Sequence, residues 1–407
     1  MTMKNYFAII LLAVTMVCTQ SYAQLTNLNF EEDLTSWTVE AKDDTTITID
    51  QGAGLEDSKA LKMTLETQGV AEVKQVFTGL ETGKCYLVTG WVKGEEIKSR
   101  GNIGANFGIS GSWMVSGDGL TGTFDWKEVK MSFIATDKTE SFSIRLGFWY
   151  NDSEGTAWFD NFSIEEQAVF KAESPEKRIR LNLPAQYVKE EDKPFIAEWL
   201  KQMDGVYKVY EEFMGGVPYD GETIDIYATL HNLPGAWAWA GNPIYWTGRF
   251  VESELESLRK GNWSFGILHE IAHDFAINDQ SYNWNEEMFA NLRMYYALEK
   301  LGGKVHQGGS IRDHLWLKEF YRTVGGEQFN HDNHMYYLLT VKDEIGWEPF
   351  KATIQELGSR PPERLTPLEK FNLFFETLAR HGGTTPDRLL APVALDKINE
   401  LLKERER

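Results

Sequence analysis

The first part of the chain, residues 24–166, alternates hydrophobic and polar positions in the manner typical of β-strands. Runs rich in Val, Ile, Thr, Phe and Trp are separated by clusters of Gly, Asn and Asp that favour turns. Strands are predicted at Thr46–Ile49, Ala60–Leu65, Cys85–Val92, Glu128–Phe133, Ser141–Phe148 and Ala157–Ile164. Many short strands at this spacing indicate an antiparallel β-sandwich over residues 24–166.

The pattern changes to helical spacing at about residue 178. In Pro194–Met214, apolar residues recur every three or four positions. Two strands are predicted at Thr223–Leu230 and Gly241–Thr247, and further helices at Ser264–Ala276, Asn285–Leu301, His314–Tyr321, Met335–Ile345, Glu348–Leu357, Pro367–Arg380 and Ala391–Lys403. The polar residues 167–177 contain Pro175 and predict a linker. We therefore expect a multidomain chain in which residues 178–407 form a mainly α-helical α+β domain.

Residues 1–23 have the features of a secretory signal peptide. A positively charged start and a short apolar run precede small residues at Ser21 and Ala23, so we expect cleavage after Ala23 and export to the periplasm, the cell surface or the medium. Cys18 opens the alternative of lipid attachment. After cleavage Cys85 would be the only cysteine, which excludes an internal disulfide. No later segment resembles a membrane span.

The composition narrows the classes of partner. The chain of 407 residues carries 41 Lys and Arg against 61 Asp and Glu, so its formal net charge is −20. This acidic balance disfavours nucleic acids and anionic membrane surfaces, because both would require a basic face. Aromatic residues make up 13% of the chain, which argues for packed cores and against disorder.

The clearest chemical signal is His269-Glu270-Ile271-Ala272-His273, inside a predicted helix. Side chains four residues apart lie on one face of a helix, so His269 and His273 can bind one ion. Two imidazoles and a carboxylate with an open position suit Zn²⁺, which makes water more acidic and polarises a carbonyl. Glu270 is close enough to act as the general base.

A third ligand is expected from the next predicted helix, which opens with Asn285, Glu286 and Glu287. A carboxylate near the start of that helix can reach back to the two histidines. Glu287 is preferred to Glu286 because Asn291 follows it by four residues on the same face, where it would orient a ligand histidine from the second layer. The choice between the two glutamates depends on the residue at which the helix begins.

Several segments around this motif resemble the enhancin-like zinc metallopeptidases. They are Gly241–Tyr245, Gly261–Trp263, His269–His273, Trp284, Glu287–Asn291, Met335–Leu339, Gly346–Phe350 and Lys370–Leu378. The resemblance covers most of residues 178–390. It implies a zincin-type fold with His269, His273 and Glu287 on zinc and Glu270 as base, in a secreted peptidase that acts on O-glycosylated, mucin-type proteins. The chain departs from the family at Ala272, where Gly is usual, and at Asp274–Ala276.

The two ends of the first part, Asn27–Glu31 with Trp37 and Gly155–Ile164, resemble carbohydrate-binding jelly-roll modules. Aromatic side chains in or beside polar loops are candidates for stacking on sugar rings: Trp113, Trp149 and Tyr150. Tryptophans within strand-like runs are expected in the core: Trp37, Trp91, Trp126 and Trp158. Glu31 and Asp160 are candidate ligands of a structural Ca²⁺ between the first and last strands, with surface solvation as the alternative.

Together these features predict a secreted, monomeric zinc metalloendopeptidase whose glycan-binding module holds a glycoprotein substrate. Two alternatives stay open: a non-catalytic glycan-binding protein with a structural zinc site, and a glycoside hydrolase that uses paired carboxylates. The sequence leaves the residue that stabilises the transition state undecided among Tyr282, Tyr295, His331 and His334.

Overall fold

The computed structural model describes residues 24–40, 45–101, 103–112, 115–148, 151–229, 237–307, 309–324 and 331–405. The predicted signal peptide lies outside these ranges, so export stays a prediction. In the described ranges, no helix combines the length and the apolar character that crossing a bilayer would require.

The first part of the chain is an antiparallel β-sandwich, as predicted. Its strands are β1 (Thr38–Glu40), β2 (Thr45–Asp50), β3 (Ala60–Gly69), β4 (Ala71–Phe77), β5 (Cys85–Ser99), β6 (Ala105–Ile109), β7 (Gly122–Ile134), β8 (Glu140–Leu146) and β9 (Ser153–Gln167). One sheet has the order β1-β4-β8-β6 and the other β2-β3-β9-β5-β7. Alternate side chains of both sheets meet in one apolar core, where the rings of Phe107 and Phe162 lie 5.0 Å apart.

A second, mixed sheet begins one residue after β9. Its strands are β10 (Val169–Glu173), β11 (Ile179–Pro184), β12 (Ile224–Ala228), β13 (Ala238–Trp239) and β14 (Ile244–Trp246), in the order β10-β11-β12-β14-β13. Strands β11, β12 and β14 are parallel, and β13 is an edge strand antiparallel to β14. The prediction of a linker over residues 167–177 was therefore wrong, because residues 169–173 pair with β11.

Helices cover one side of this sheet and make up most of the remaining described residues. They are α1 (Lys193–Met214), α2 (Gly248–Arg259), α3 (Phe265–Asp274), α4 (Glu286–Leu301), α5 (His314–Val324), α6 (His331–Ile345), α7 (Glu348–Gly358), α8 (Pro367–His381), α9 (Pro386–Leu389) and α10 (Pro392–Arg405). A small sheet of β15 (Trp263–Ser264), β16 (Val305–Gln307) and β17 (Ser310–Arg312) lies between them, in that order. The helices share one large apolar core with the second sheet.

The sandwich and the second sheet meet at a small apolar cluster. Cys85 and Ile134 of the sandwich are buried against Tyr227, with Val169 and Tyr245 packed around them. Cys85 is a free thiol whose pKa is raised to about 12 by burial. The cysteine therefore contributes to packing between the two parts of the chain.

Candidate metal centre

Helix α3 carries the candidate metal ligands and is fixed on three sides. Its N-cap is Ser264, whose Oγ accepts a hydrogen bond from the backbone N–H of Ile267 at 3.4 Å. Ile267, Leu268 and Ile271 are fully buried in the core. The hydroxyl of Tyr210 on α1 donates to the carbonyl of Leu268 at 3.1 Å. Because the apolar face is held in this way, the opposite face of α3 is directed toward a cleft between α3 and β13.

Three ligand side chains converge on that face. The Nε2 atoms of His269 and His273 are 3.0 Å apart, and Glu287 Oε2 lies 3.1 Å from His269 Nε2. Glu287 Oε1 lies 3.6 Å from His273 Nε2. Glu287 reaches the histidines because α4 begins at its N-cap Asn285, whose side chain accepts from the backbone N–H of Met288 at 3.1 Å. These three side chains form a possible metal-binding triad.

The spacing of the triad fits a small divalent ion. Ligands about 2.1 Å from a tetrahedral metal lie about 3.4 Å from one another, which is close to the three separations found here. The donor set of two imidazoles and one carboxylate suits Zn²⁺ and neighbouring transition ions. No other group of three or more such ligating side chains occurs among the residues that the structure describes.

Glu286, the alternative third ligand, occupies a second layer behind His273. Its Oε1 lies 3.1 Å from His273 Nδ1 and accepts a hydrogen bond of 3.1 Å from Arg293 Nη1. A carboxylate at this nitrogen fixes the tautomer and the ring orientation that leave Nε2 for the metal. The structure therefore gives the two glutamates different roles, with Glu287 at the triad and Glu286 behind it.

Arg293 holds this second layer together from inside the core. It is 1% exposed, and its Nη1 also donates to the carbonyl of Ala272 at 3.0 Å. Its Nη2 lies 3.5 Å from Asp279 Oδ2, and Asn283 donates to both Asp279 and Glu286. This arginine was not predicted from the sequence. The available signal was a charged residue inside the mostly apolar run Met288–Leu298 of α4, two turns after Glu286.

The side chains of the triad shift one another's pKa values. Hydrogen bonds from His269 and His273 hold the pKa of Glu287 far below its usual range. Burial disfavours the charged form of His273, but its hydrogen bonds to Glu286 and Glu287 outweigh that effect and raise its pKa to about 9. A metal ion bound by His273 would replace this proton.

Glu270, the predicted base, lies in the same cleft as the triad and is 9% exposed. Burial raises its pKa, and the nearby His269 and His273 act in the opposite direction. The backbone N–H of Ala240 donates to its carboxylate. A carboxylate in this position, beside a metal site, is suited to accept a proton and to return it.

The cleft has a volume of about 400 Å³ and lies between α3 and the edge strand β13. Its lining residues are Trp237, Ala238, Trp239, Phe265, Gly266, His269, Glu270, His273, Glu287 and Gln307. The ring of Phe265 stacks on His269 at 5.8 Å between centroids, and Trp237 packs on Phe250 at 5.0 Å. The cleft therefore has aromatic walls on both sides of a polar, titratable floor.

Asp274 connects the end of α3 to the turn that follows β13. Its Oδ1 accepts hydrogen bonds from the backbone N–H of Gly241 at 2.7 Å and from the hydroxyl of Tyr219 at 2.9 Å. Burial raises the pKa of Asp274 to about 7. These two hydrogen bonds hold the turn after β13 against the end of α3. Asp274 is also one of the positions at which the sequence departs from the family that it resembles.

Other predicted residues of this site lie elsewhere or make different contacts. Asn291 is buried, but within the described ranges neither its Oδ1 nor Nδ1 of His269 has a hydrogen-bond partner, so the predicted bond to a ligand histidine is not present. Tyr282 and Tyr295 are buried among aromatic rings and do not line the cleft. The side chains of His331 and His334 lie outside the described part of the chain.

The predicted sugar-stacking residues Trp113, Trp149 and Tyr150 lie outside the described residues. Of the four tryptophans expected in the core, Trp37 and Trp158 are buried, and Trp91 and Trp126 are only partly buried. Trp158 is on the outer face of the five-stranded sheet, where Lys62 and Lys93 lie opposite it on the two neighbouring strands. Their Nζ atoms lie 5.1 and 5.6 Å from its ring centroid, and its Nε1 donates to Asp50 at 2.9 Å.

The two candidate calcium ligands are held by hydrogen-bond donors. Asp160 is buried, and its Oδ2 accepts from the backbone N–H of Leu55 at 2.9 Å and from Ser58 Oγ at 2.8 Å. Glu31 Oε1 accepts from the backbone N–H of Lys59 at 3.0 Å. These hydrogen-bond donors compensate the negative charge of the two carboxylates, as a bound cation would. A structural Ca²⁺ at this position therefore stays a prediction.

No protein-family model matches the chain, and no curated protein matches it. Among solved structures, a mutant of a functionally unknown conserved protein from Bacillus anthracis str. Ames is 13% identical, with 80% of this chain and 72% of that chain covered and a TM-score of 0.43. TmCBM61 in complex with beta-1,4-galactotriose is 18% identical over 36% of this chain and 100% of that chain, with a TM-score of 0.26. The CBM22-2 xylan-binding domain from Paenibacillus barcinonensis Xyn10C is 10% identical over 34% and 97%, with a TM-score of 0.27.

Proposed function

We propose that the chain is a zinc-dependent endopeptidase with a zincin-type catalytic domain. The observation that carries this proposal is the convergence of His269, His273 and Glu287 beside the buried carboxylate of Glu270, in a cleft next to an edge strand. When bound, the metal supplies Lewis acidity to a substrate carbonyl and to water. Glu270 accepts the proton of the attacking water and delivers it to the leaving amine.

The edge strand β13 supports a peptide as the substrate. Among the strands of the described ranges it pairs with β14 alone, and Ala238 and Trp239 line the cleft above α3. An extended peptide can add to such an edge through main-chain hydrogen bonds, with its alternate side chains directed into the cleft. This alignment would bring a peptide carbonyl next to the triad and Glu270.

We further propose that the sandwich is a jelly-roll carbohydrate-binding module, so that the substrate is a glycosylated, mucin-type protein. The support is the outer face of the five-stranded sheet, where Trp91 is partly exposed and the strand alternation puts it on the same side as Lys93 and Trp158. Aromatic rings flanked by polar groups are suited to sugar rings. A module that holds the same substrate raises its effective concentration at the cleft.

The test is cleavage of an O-glycosylated protein by the zinc-loaded chain, with the products mapped by mass spectrometry. Glu270→Gln keeps the size of the side chain and removes the base, so we expect cleavage to fall by about 10² to 10⁴-fold while zinc is retained. The matched control is Glu256→Gln, an exposed glutamate paired with Lys260 on α2, which should leave the rate unchanged.

Three outcomes would contradict the peptidase proposal. Cleavage retained in Glu270→Gln would remove the assigned base. A melting temperature that falls when zinc is stripped, with no substrate ever cleaved, would favour a non-catalytic glycan-binding protein with a structural metal. Release of free sugar after zinc removal would favour a glycoside hydrolase.

A further inference from the structure

A patch of exposed apolar side chains lies on β17 and the start of α5. Ile311, Leu315 and Trp316 are 44%, 65% and 39% exposed, and they fall within six consecutive residues. Of these residues, Trp316 stacks on Phe320 and lies against Arg312 at the end of β17. We call Arg312, Leu315, Trp316 and Phe320 the Arg312 patch.

The Arg312 patch is continuous with the metal cleft. The guanidinium of Arg312 lies 3.9 Å from the ring centroid of Trp316 and 5.5 Å from that of Phe320. The two rings are stacked at 5.0 Å with an interplanar angle of 17°. In the other direction, Nη1 of Arg312 donates to Gln307, which lines the cleft. One side chain therefore joins the exposed aromatic surface to the wall of the cleft.

The charge of Arg312 has no acidic partner within the described ranges. It contacts Gln307, Trp316 and Phe320 and lies near Tyr321, none of which is an acidic side chain, and its Nε is buried without a hydrogen-bond partner there. On the same stretch of chain, Arg322 is paired with Glu319. In a chain of net charge −20, an unpaired arginine beside a cleft provides local complementarity to a negatively charged group.

We infer that the Arg312 patch is a subsite for an acidic side chain of an extended peptide, with an apolar neighbour on Trp316 and Leu315. The inference rests on the proposed function, because a peptide threaded through the cleft would continue past Gln307. An extended chain advances about 3.3 Å per residue, so residues a few positions from the reacting bond reach the surface beside the cleft. The guanidinium fork matches a carboxylate, and the indole face covers an apolar group.

The test compares two fluorescently labelled dodecapeptides that differ only in having Glu or Gln at alternate positions. Binding is measured by anisotropy to the zinc-loaded Glu270→Gln chain, and cleavage is measured with the wild-type chain. We expect the Glu peptide to bind about fivefold more tightly and to be cleaved with a correspondingly higher kcat/KM. Arg312→Gln should remove the difference in both measurements.

Charge reversal provides an internal check on folding. Arg312→Glu should prefer a peptide with Lys at the same positions, and a gain of preference cannot arise from an unfolded protein. The matched control is Arg322→Gln, an exposed arginine on α5 paired with Glu319, which should keep the preference for Glu.

Separate outcomes test the inference and the proposed function. A preference for Glu in binding, with no cleavage of these peptides or of an O-glycosylated protein, would keep the subsite and contradict the peptidase. Cleavage with equal preference for Glu and Gln, or a preference unchanged in Arg312→Gln, would overturn the subsite. A preference for sialylated over unsialylated glycopeptides that Arg312→Gln removes, without any Glu preference, would also overturn it and assign the patch to an acidic sugar.

Discussion

At the metal centre, charged side chains take part in a buried hydrogen-bonded network. On the outer face of the five-stranded sheet, by contrast, a different set of charged side chains covers an aromatic ring. His273 is held by Glu286, which is held in turn by the buried Arg293. Trp158 is instead enclosed by Lys62 and Lys93. A buried network fixes geometry because an unpaired charge there is costly, while lysine stems on a surface can move aside at small cost.

Under the proposed function, this difference has a consequence. A catalytic metal site requires ligands held to within a fraction of an ångström, and its second layer supplies that precision. A sugar-binding face needs flat apolar area that can be covered or exposed. We therefore expect substitutions at the metal centre to have large effects and substitutions on the sheet face to have small ones.

The largest expected effect comes from comparing the two adjacent glutamates. Glu286→Gln removes the charge behind His273, and second-layer changes of this kind lower metal affinity by about 10- to 100-fold. Glu287→Gln removes a ligand of the triad and should lower zinc affinity further than that. The measurement is zinc binding by competition with a chromophoric chelator. Equal affinities for the two variants would contradict the assignment of separate roles.

Next in size is Arg293→Met, which leaves Glu286 and Asp279 without their buried partner. Breaking a buried ionic network by removing one member costs about 3–5 kcal/mol of the free energy of unfolding. Urea unfolding measures this change. The control Arg322→Met removes an exposed pair and should cost about 1 kcal/mol or less. A cost for Arg293→Met no larger than the control would mean that the network does not stabilise the fold.

A smaller effect is the pH dependence of the metal-free chain. His273 has its pKa raised from 6.5 to about 9 in the folded state, so the folded state binds this proton more tightly than the unfolded state. The resulting stabilisation is fully present below pH 6.5 and is lost as the pH rises through about 9.

Zinc should reverse that trend, because protons compete with the metal for His273 as the pH falls. Melting temperatures between pH 6 and pH 9, with and without zinc, test the prediction. Parallel curves for the two forms would show that His273 is not a metal ligand.

The smallest effect is expected on the sheet face. Replacing Lys62 and Lys93 by Ser should expose the ring of Trp158. The free energy of unfolding should fall by about 1 kcal/mol for each exposed cation–π contact that is lost. Oxidative footprinting should detect a faster modification of Trp158, with the buried Trp37 as the internal reference. Unchanged modification of Trp158 would mean that elements other than the lysines cover the ring.

The same comparison explains what the sequence could predict. His269 and His273 were found because helix geometry fixes the relation of residues four positions apart. A carboxylate ligand from the next helix was predicted because the start of that helix lies close downstream. The reason for preferring Glu287 to Glu286, a bond from Asn291 to a ligand histidine, is not present in the described ranges. Helix α2 was missed although Val251, Leu255 and Leu258 have helical spacing. The edge strand β13 and the small sheet β15–β17 have strands of only two or three residues, too short for an alternation to be seen.

Features formed by segments that are distant in the chain could not be predicted from the local sequence pattern. Arg293 meets Asp279 and Ala272 only through the packing of α4 on α3, and Gln307 enters the cleft from a separate sheet. The pairing of residues 169–173 with β11 likewise depends on tertiary contacts, because the short run Val169–Glu173 lies in a segment with many polar residues that also contains Pro175. Local periodicity thus predicted most helices and the metal motif, while the second layer and the cleft walls required the fold.

The most direct test of the metal centre is a crystal structure of the zinc-loaded chain with anomalous difference maps on both sides of the zinc absorption edge. We predict one peak about 2.0–2.2 Å from His269 Nε2, His273 Nε2 and a carboxylate oxygen of Glu287. A peak at other side chains, or no peak at this triad in a chain that retains zinc in solution, would contradict the assignment.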